Sequence, residues 1–218
     1  MEQNIALLMA DLSGYTALTE IHGAFSAADL VEKYVEIVEK CLVGDSTLKE
    51  RTGDEVMIVS SSPDSLLATA DLIMKNTSRQ EYFLQVHGGL HYGKILIRNS
   101  SYFGSAVNIT ARIAAKASPG SFWCSGNFID ALADKTAFKF HAKQTHRFKN
   151  VSEEMEIAEV LNTHNRTFFI DPVCRMLIND NASGIQHQEM KHSYFCSRTC
   201  LEIFNSNPDA YVVTGGLN

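Results

Sequence analysis

Residues 5–16 read Ile-Ala-Leu-Leu-Met-Ala-Asp-Leu-Ser-Gly-Tyr-Thr, an apolar run that ends in a carboxylate and a turn of small residues. A continuous apolar run before turn residues predicts a buried strand with Asp11 at its end. Asp54 follows Thr52-Gly53 between two apolar-rich stretches, which predicts the tip of a β-hairpin. Two carboxylates at neighbouring strand ends suit a pair of hard cations that hold phosphates.

An Asn–Arg pair is the second informative feature. Asn108 and Arg112 are four residues apart in a helical pattern, so they share one face. A neutral amide beside a planar guanidinium suits the binding of a sugar and the stabilisation of a phosphoryl charge. Each position also has a simpler interpretation. Asp11 could cap the turn after its strand, Asp54 could only serve a hairpin, and Arg112 could be a solvated surface charge.

Hydrophobic periodicity predicts strands that alternate with helices. The predicted strands are residues 5–11, 56–60, 82–87, 95–98, 138–142 and 156–161, and the predicted helices are residues 27–42, 63–75 and 105–118. Ser26 and Asp29 predict the cap of the first helix. This order predicts an α+β fold of the ferredoxin-like βαββαβ type, with helices on an antiparallel sheet.

Composition limits the classes of function. The chain has 218 residues, 45% hydrophobic and 20% charged, which is typical of a globular protein with a sizeable core. A net charge of −6 argues against a nucleic-acid surface. No apolar run reaches the roughly 20 residues that span a bilayer, and the first residues lack the basic flank of a secretory signal. Five cysteines, three of them near the C-terminus, favour a reduced compartment and metal ligation. We therefore expect a cytoplasmic protein that binds neither membrane nor nucleic acid.

Four segments together resemble the catalytic domain of class III adenylate and guanylate cyclases, over residues 1–162. They match in order and approximate spacing, which is far more specific than any single motif, and they are residues 10–16, 52–54, 89–93 and 102–112. The resemblance implies an enzyme that converts GTP or ATP to the 3′,5′-cyclic monophosphate and pyrophosphate. It also implies two-metal catalysis at the interface of a homodimer.

The resemblance also implies a role for each motif residue. Asp11 and Asp54 would hold two Mg²⁺ or Mn²⁺ ions, Asn108 would orient the ribose, and Arg112 would stabilise charge on the α-phosphorus. The substrate's phosphates would contact residues of the turn and a later lysine, namely Leu12, Ser13, Gly14, Tyr15, Thr16 and Lys149. In this family the metal carboxylates and the Asn–Arg pair face each other across the dimer interface.

Two positions that match the family's base-recognition residues depart from the commonest adenylate cyclase pattern. Glu50 stands where those enzymes usually have lysine, and Ser101 stands where they have aspartate or threonine. Glu50 could accept hydrogen bonds from guanine, and Ser101 could donate one. This pattern favours GTP slightly and leaves ATP open. The alternative functions are a catalytically weak nucleotide-binding sensor or scaffold, and a metal-binding module on a dimeric base.

The C-terminal segment carries a separate signature. After a predicted linker at residues 163–167, residues 168–214 resemble the YHS domain, a small module akin to the TRASH group of metal-binding domains. Cys174, Cys196 and Cys200 would form a soft site for Zn²⁺ or Cu⁺, with His192 or His187 as a possible fourth ligand. The alternative is that the three cysteines stay reduced and pack as small apolar residues.

Overall fold

The computed structural model describes residues 2–99, 101–149, 151, 153–161, 168–179 and 184–211. The strands of the main sheet are β1 (Glu2–Ser13), β2 (Thr47–Thr52), β3 (Glu55–Ser60), β4 (Gln85–Arg98), β5 (Ser101–Phe103), β6 (Phe122–Ser125), β7 (Gln144–His146) and β8 (Met155–Glu159). The helices of this part are α1 (Tyr15–Lys40), α2 (Pro63–Thr77), α3 (Ser105–Lys116) and α4 (Gly126–Asp130). The predicted linker, residues 163–167, lies outside the described residues.

The strand order of the sheet confirms the predicted βαββαβ core. The order is β2-β3-β1-β4-β6-β8-β7, with β5 paired to β4. The first four strands pair antiparallel in the ferredoxin-like order. The prediction of an antiparallel sheet is wrong at one place, because β4 and β6 are parallel. Helix α3 connects these two strands, and parallel neighbours require such a crossover.

Strand β1 is buried on both faces, which explains its continuous apolar run. Ala6, Leu8 and Ala10 belong to the larger core, together with residues of α1 and α2. The alternate residues Leu7 and Met9 belong to a second core beneath α3. Because side chains alternate across a strand, two apolar layers require apolar residues at every position.

Helix α1 begins twelve residues earlier than the periodicity predicts, at Tyr15 rather than at residue 27. Gly14 precedes it with φ 95°, a left-handed conformation that glycine adopts without strain. The predicted cap at Ser26 and Asp29 is therefore wrong, since both residues lie inside the helix. Gly23, with φ 83° and ψ 165°, interrupts the helical geometry and hides the first segment from a search for one continuous period.

Strand β4 is one long strand, where the sequence predicts two separate strands at residues 82–87 and 95–98. The intervening glycines suggest a break, but close packing explains them. A Cβ atom on Gly89 would lie 2.3 Å from the backbone nitrogen of Ala114, so α3 can lie against β4 only at a glycine. The predicted strand at 138–142 is also wrong, because that segment contributes only a bridge between Phe140 and Val160.

The C-terminal part, which we call the tail, comprises the described residues 168–179 and 184–211. It contains β9 (Phe168–Ile170), β10 (Leu177–Asn179), β11 (Ile185–Gln186), β12 (Tyr194–Phe195), α5 (Arg198–Ser206) and a 3₁₀ turn (Pro208–Ala210). The backbone of Leu177 exchanges hydrogen bonds with Tyr82 and Phe83 ahead of β4. Ile21 of α1 packs against the small core of the tail. Among the described residues, no helix is both long and apolar enough to cross a membrane.

Candidate active site and cysteine cluster

The structure brings Asp11 and Asp54 together at one end of the sheet. Strand β3 pairs with β1 so that Val56 lies opposite Ala10, which places the β2–β3 hairpin beside the end of β1. Gly53, with φ 62°, makes the tight turn at the hairpin tip, as predicted. The two carboxyl groups form a hydrogen bond, although the residues are far apart in the sequence.

The electrostatics of this carboxyl pair fit the binding of a hard cation. Burial and the hydrogen bond with Asp11 raise the pKa of Asp54 to about 7. A neighbouring carboxylate disfavours ionisation of Asp54, so Asp54 keeps its proton to a higher pH than an isolated carboxyl group does. The oxygens of the two carboxyl groups are the ligands that Mg²⁺ and Mn²⁺ prefer, and the proton is the charge that such a cation would replace.

Two neighbours of the carboxyl pair were not predicted from the sequence. His87 on β4 lies opposite Asp11, and its Nδ1 lies 2.9 Å from the hydroxyl of Ser13. Burial lowers the pKa of His87. The hydroxyl of Tyr34, on α1, is buried without a hydrogen-bond partner among the described residues, which is uncommon. Its pKa is raised by burial and by the charges of the two aspartates, so Tyr34 remains neutral.

The turn after Asp11 leads directly into the first turn of α1. The Asp11 carboxylate accepts a hydrogen bond of 2.9 Å from the amide of Leu12. Gly14 precedes the helix, and no side chain caps this end of it. The first amides of a helix have no partner within the helix and carry a partial positive charge. Residues 13–16 therefore place backbone donors beside the carboxyl pair.

The predicted Asn–Arg pair occupies the exposed face of α3. Their four-residue spacing predicts that Asn108 and Arg112 share one helix face, and both side chains are exposed. Asn108 lines an open cleft of about 600 Å³, whose lining includes His91, Gly93 and neither of the two aspartates. Gly93 pairs with Ile5, six residues before Asp11, and a strand rises about 3.3 Å per residue. The end of the cleft at Gly93 thus lies about 20 Å along the sheet from the level of Asp11 in the same chain.

The other predicted substrate-binding residues, Glu50, Ser101 and Lys149, lie on three different segments of the chain. Glu50 is exposed on β2, and Ser101 is half-buried at the start of β5. Three strands, β3, β1 and β4, lie between β2 and β5 in the sheet. Lys149 is exposed in the segment between β7 and β8. Within one chain, Glu50 and Ser101 are therefore separated across the sheet.

The three cysteines of the tail come together, and the fourth polar group beside them is His22 of α1. The Sγ atom of Cys196 lies 3.4 Å from that of Cys174 and 3.7 Å from that of Cys200. The Nε2 atom of His22 lies 3.6 Å from the sulfur of Cys196 and 3.7 Å from that of Cys200. Hydrogen bonds from the thiols of Cys174 and Cys196 lower the pKa of Cys200. The four ligand atoms all lie within 4.8 Å of one another.

Neither histidine that the sequence suggests as a fourth ligand joins the cluster. The Nδ1 atom of His187 accepts hydrogen bonds from the amides of Glu189 and Met190, and its Nε2 lies 3.0 Å from the side-chain oxygen of Asn205. Both ring nitrogens are therefore engaged. His192 is exposed and is absent from the cluster of ligand atoms. No local signal in the sequence could have selected His22, because it lies in the other part of the chain.

Comparisons with known proteins agree with the fold. Residues 1–171 match the family described as the adenylate and guanylate cyclase catalytic domain. Because this match covers most of the 218 residues, the chain belongs to that family.

The chain is also similar to curated proteins and, in fold, to a solved structure. An uncharacterized protein of Mycobacterium tuberculosis is 37% identical over 126 residues, covering 57% of this chain and 33% of that protein. An adenylate cyclase of Glutamicibacter nicotianae is 28% identical over 140 residues, covering 64% and 35%. The adenylyl cyclase CyaB from P. aeruginosa shares the fold, with a TM-score of 0.63 at 16% identity over 76% of this chain and 97% of that structure. The chain spans about a third of the length of the curated relatives it matches.

Proposed function

We propose that the protein is a nucleotide cyclase that converts a purine nucleoside triphosphate to its 3′,5′-cyclic monophosphate and pyrophosphate. The observation that carries this proposal is the contact between Asp11 and Asp54, beside the uncapped start of α1. Family membership gives the reaction class. The carboxyl pair and the free helix amides are the groups that this reaction needs in order to bind a metal-complexed triphosphate.

Asp11 and Asp54 would hold the divalent cations, Mg²⁺ or Mn²⁺. The chemistry that such cations supply when bound is acidification of the ribose 3′-hydroxyl and neutralisation of phosphate charge. The amides of residues 13–16 would donate hydrogen bonds to phosphate oxygens, whereas the amide of Leu12 donates to Asp11. The positive φ of Gly14 allows this backbone to turn directly from β1 into the helix.

Asn108 and Arg112 would act on a substrate held by the carboxyl pair of a second copy of the chain. The cleft that Asn108 lines reaches Gly93, about 20 Å along β4 from the level of Asp11 in the same chain, so a homodimer completes the site most simply. Asn108 would orient the ribose, and Arg112 would stabilise the charge that develops on the α-phosphate. Lys149, which is exposed, would contact the triphosphate from its loop.

The choice of base rests on Glu50 and Ser101. A carboxylate accepts hydrogen bonds from the N1 and N2 hydrogens of guanine, and a hydroxyl can donate to its O6. Adenine lacks that combination of donors and acceptor, so GTP should be used at least as well as ATP. The relative from Glutamicibacter nicotianae is named an adenylate cyclase, and ATP is therefore the competing substrate. We further infer that the tail is a YHS-type module attached to the cyclase domain.

A product assay with all four nucleoside triphosphates, each with Mg²⁺ or Mn²⁺, tests the proposal. Wild-type protein should form cyclic GMP or cyclic AMP together with pyrophosphate. Asp54→Ala should abolish the product, whereas Asp29→Ala, which removes an exposed carboxylate on α1, should not. Nucleotide binding without product under every condition would refute the cyclase proposal and favour a sensor.

A further inference from the structure

The tail and the cyclase domain share one cluster of soft metal ligands. Cys174 follows β9, Cys196 follows β12, Cys200 lies on α5, and His22 comes from α1 of the cyclase domain. All five cysteines of the chain are free, so the three sulfurs are available as metal ligands. The cluster therefore joins three separate segments of the tail to a helix of the other part.

The spacing of the four atoms matches a tetrahedral zinc site. Zinc bond lengths of about 2.3 Å to sulfur and about 2.0–2.1 Å to nitrogen place tetrahedral sulfurs about 3.8 Å apart and sulfur and nitrogen about 3.6 Å apart. The sulfurs of Cys174, Cys196 and Cys200 show 3.4 and 3.7 Å, and the two distances from His22 to sulfur are 3.6 and 3.7 Å. Cys₃His is a ligand set that closed structural zinc sites use.

The surroundings of the cluster hold the ligands in this arrangement. The buried carboxylate of Asp171 accepts hydrogen bonds from the amides of Val173, Cys174 and Cys196, which fixes the turn that carries the first cysteine and places the second beside it. Ser197 caps α5 by accepting a hydrogen bond from the amide of Cys200. Outer contacts of this kind orient metal ligands.

On the cyclase side, His22 is the last residue before the break of α1 at Gly23. Gly23 has φ 83°, and a Cβ atom there would meet nothing within 4 Å, so its backbone conformation and not close packing favours glycine. The preceding residue, Ile21, packs against the tail core. The break thus ends a short helical segment whose last turn presents one apolar residue and one imidazole to the tail.

The alternative, that the three cysteines only pack as small apolar residues, explains the cluster less well than metal binding does. Cys174 and Cys200 are fully buried, but Cys196 and His22 are only partly buried. An imidazole nitrogen directed at two sulfurs adds little to an apolar core. Among the described residues, the cluster that forms the tail core has five buried side chains, Val173, Cys174, Phe195, Cys200 and Phe204, and Leu177 and Ile178 of the tail are also buried. So small a core needs another source of stability, and a metal ion supplies it.

We propose that Cys174, Cys196, Cys200 and His22 bind one Zn²⁺ ion, which fastens the tail to the first helical segment of the cyclase domain. The site lies close to the turn that precedes α1. A Cβ atom on Gly14 would lie 2.7 Å from the Cβ of Arg175, the residue after the first cysteine ligand. The ion would therefore hold Arg175 and its turn directly against residues 12–16.

Metal content of the full chain tests the site without any measurement of activity. Reduced wild-type protein, offered Zn²⁺ and then desalted, should retain about one ion per chain. Cys196→Ser/Cys200→Ser should retain none, and His22→Ala should bind at least about tenfold more weakly. His187→Ala is the matched control, because it removes a tail histidine outside the cluster, and it should bind as the wild type does.

Cobalt substitution tests the identity of the fourth ligand. Wild-type protein with Co²⁺ should show the visible bands of a tetrahedral ion and sulfur charge transfer. His22→Cys keeps a ligand at this position. This variant should therefore bind Co²⁺ tightly, unlike His22→Ala, and its sulfur charge-transfer band should be stronger than that of the wild type. This variant separates ligation from a folding defect in His22→Ala. Identical cobalt spectra and affinities for wild type and His22→Ala would refute the role of His22.

Hydrogen exchange tests whether the ion joins the two parts. Zn²⁺ should slow exchange of the amides of residues 15–22 in wild-type protein and leave it unchanged in Cys196→Ser/Cys200→Ser.

Equal metal content in wild type and the double variant would overturn the site. Failure of the wild type to bind Zn²⁺, or binding of Cu⁺ alone, would also overturn it. These readouts are independent of catalysis, so the zinc site and the cyclase proposal can fail separately.

Discussion

Mixing two inactive variants would test whether the catalytic site is shared between two chains. Asp54→Ala removes one carboxylate of the pair, and Arg112→Ala removes the exposed guanidinium of α3. Each variant alone should lose about a thousandfold or more in turnover, because phosphoryl transfer depends on both kinds of group. If each site takes its carboxyl pair from one chain and its arginine from the other, the two defects can be separated by mixing.

The expected recovery follows from the symmetry of a twofold dimer with two sites. Equal amounts of the two variants, after free exchange of subunits, give about half of the dimers as heterodimers. In each heterodimer both defects fall in one site, and the other site has intact Asp54 and intact Arg112. The mixture should therefore regain about one quarter of the wild-type activity per total protein.

The assay is product formation after the mixture has been equilibrated, with subunit exchange verified by differently tagged chains. Asp11→Ala mixed with Asp54→Ala is the matched control, because both changes damage the same half of a site and every heterodimer stays inactive. No recovery in the first mixture despite verified exchange would refute the shared site. Equal recovery in the control would refute the assignment of both aspartates to one half.

Three further outcomes follow from the structure. Glu50→Lys combined with Ser101→Asp should shift substrate preference toward ATP in competition assays with both nucleotides. If the wild-type protein uses ATP alone, these two positions do not select the base. Burial lowers the pKa of His91 to about 4, so the unfolded chain binds a proton that the folded chain excludes, and the free energy of unfolding should fall as pH drops below the unfolded pKa. From pH 7 to pH 5 this loss should be about 2 kcal/mol larger in wild type than in His91→Gln by urea denaturation, and equal losses would contradict it. Leu8→Ala, in the fully buried centre of β1, should cost about 2–5 kcal/mol in the same assay, and Leu96→Ala, at a position 40% exposed, much less.

The sequence by itself determined the elements whose signals are local. The apolar run at residues 5–10 before turn residues predicts a buried strand, and β1 is a strand buried on both faces. Gly53 can adopt the positive φ of a tight turn, and it forms the predicted hairpin tip. The spacing of Asn108 and Arg112 requires only one turn of helix, and α3 supplies it. These features depend on a few neighbouring residues, so the sequence contains them.

Elements that depend on distant packing could not be found in this way. Gly89 lowers the strand signal in the middle of β4, yet the strand needs a glycine there because the backbone of α3 lies against it. Helix α1 begins at Tyr15 and breaks at Gly23, so its first segment is too short to give a clear helical period of its own. In both places a glycine looks like a local interruption, and only the packed structure shows its purpose.

The cysteine cluster shows most clearly the difference between features that local sequence encodes and features that depend on distant packing. The cysteines of the tail are visible in the sequence as candidate soft-metal ligands, because their number and spacing are local properties. The histidine beside them is not, since His22 lies 174 residues before Cys196. Local patterns contain no information about which surface a folded tail covers. Ile21 of α1 packs against the tail core, and Met176 of the tail packs against the larger core as well. This packing brings α1 to the cysteines, so only the tertiary structure selected His22 over His187 and His192.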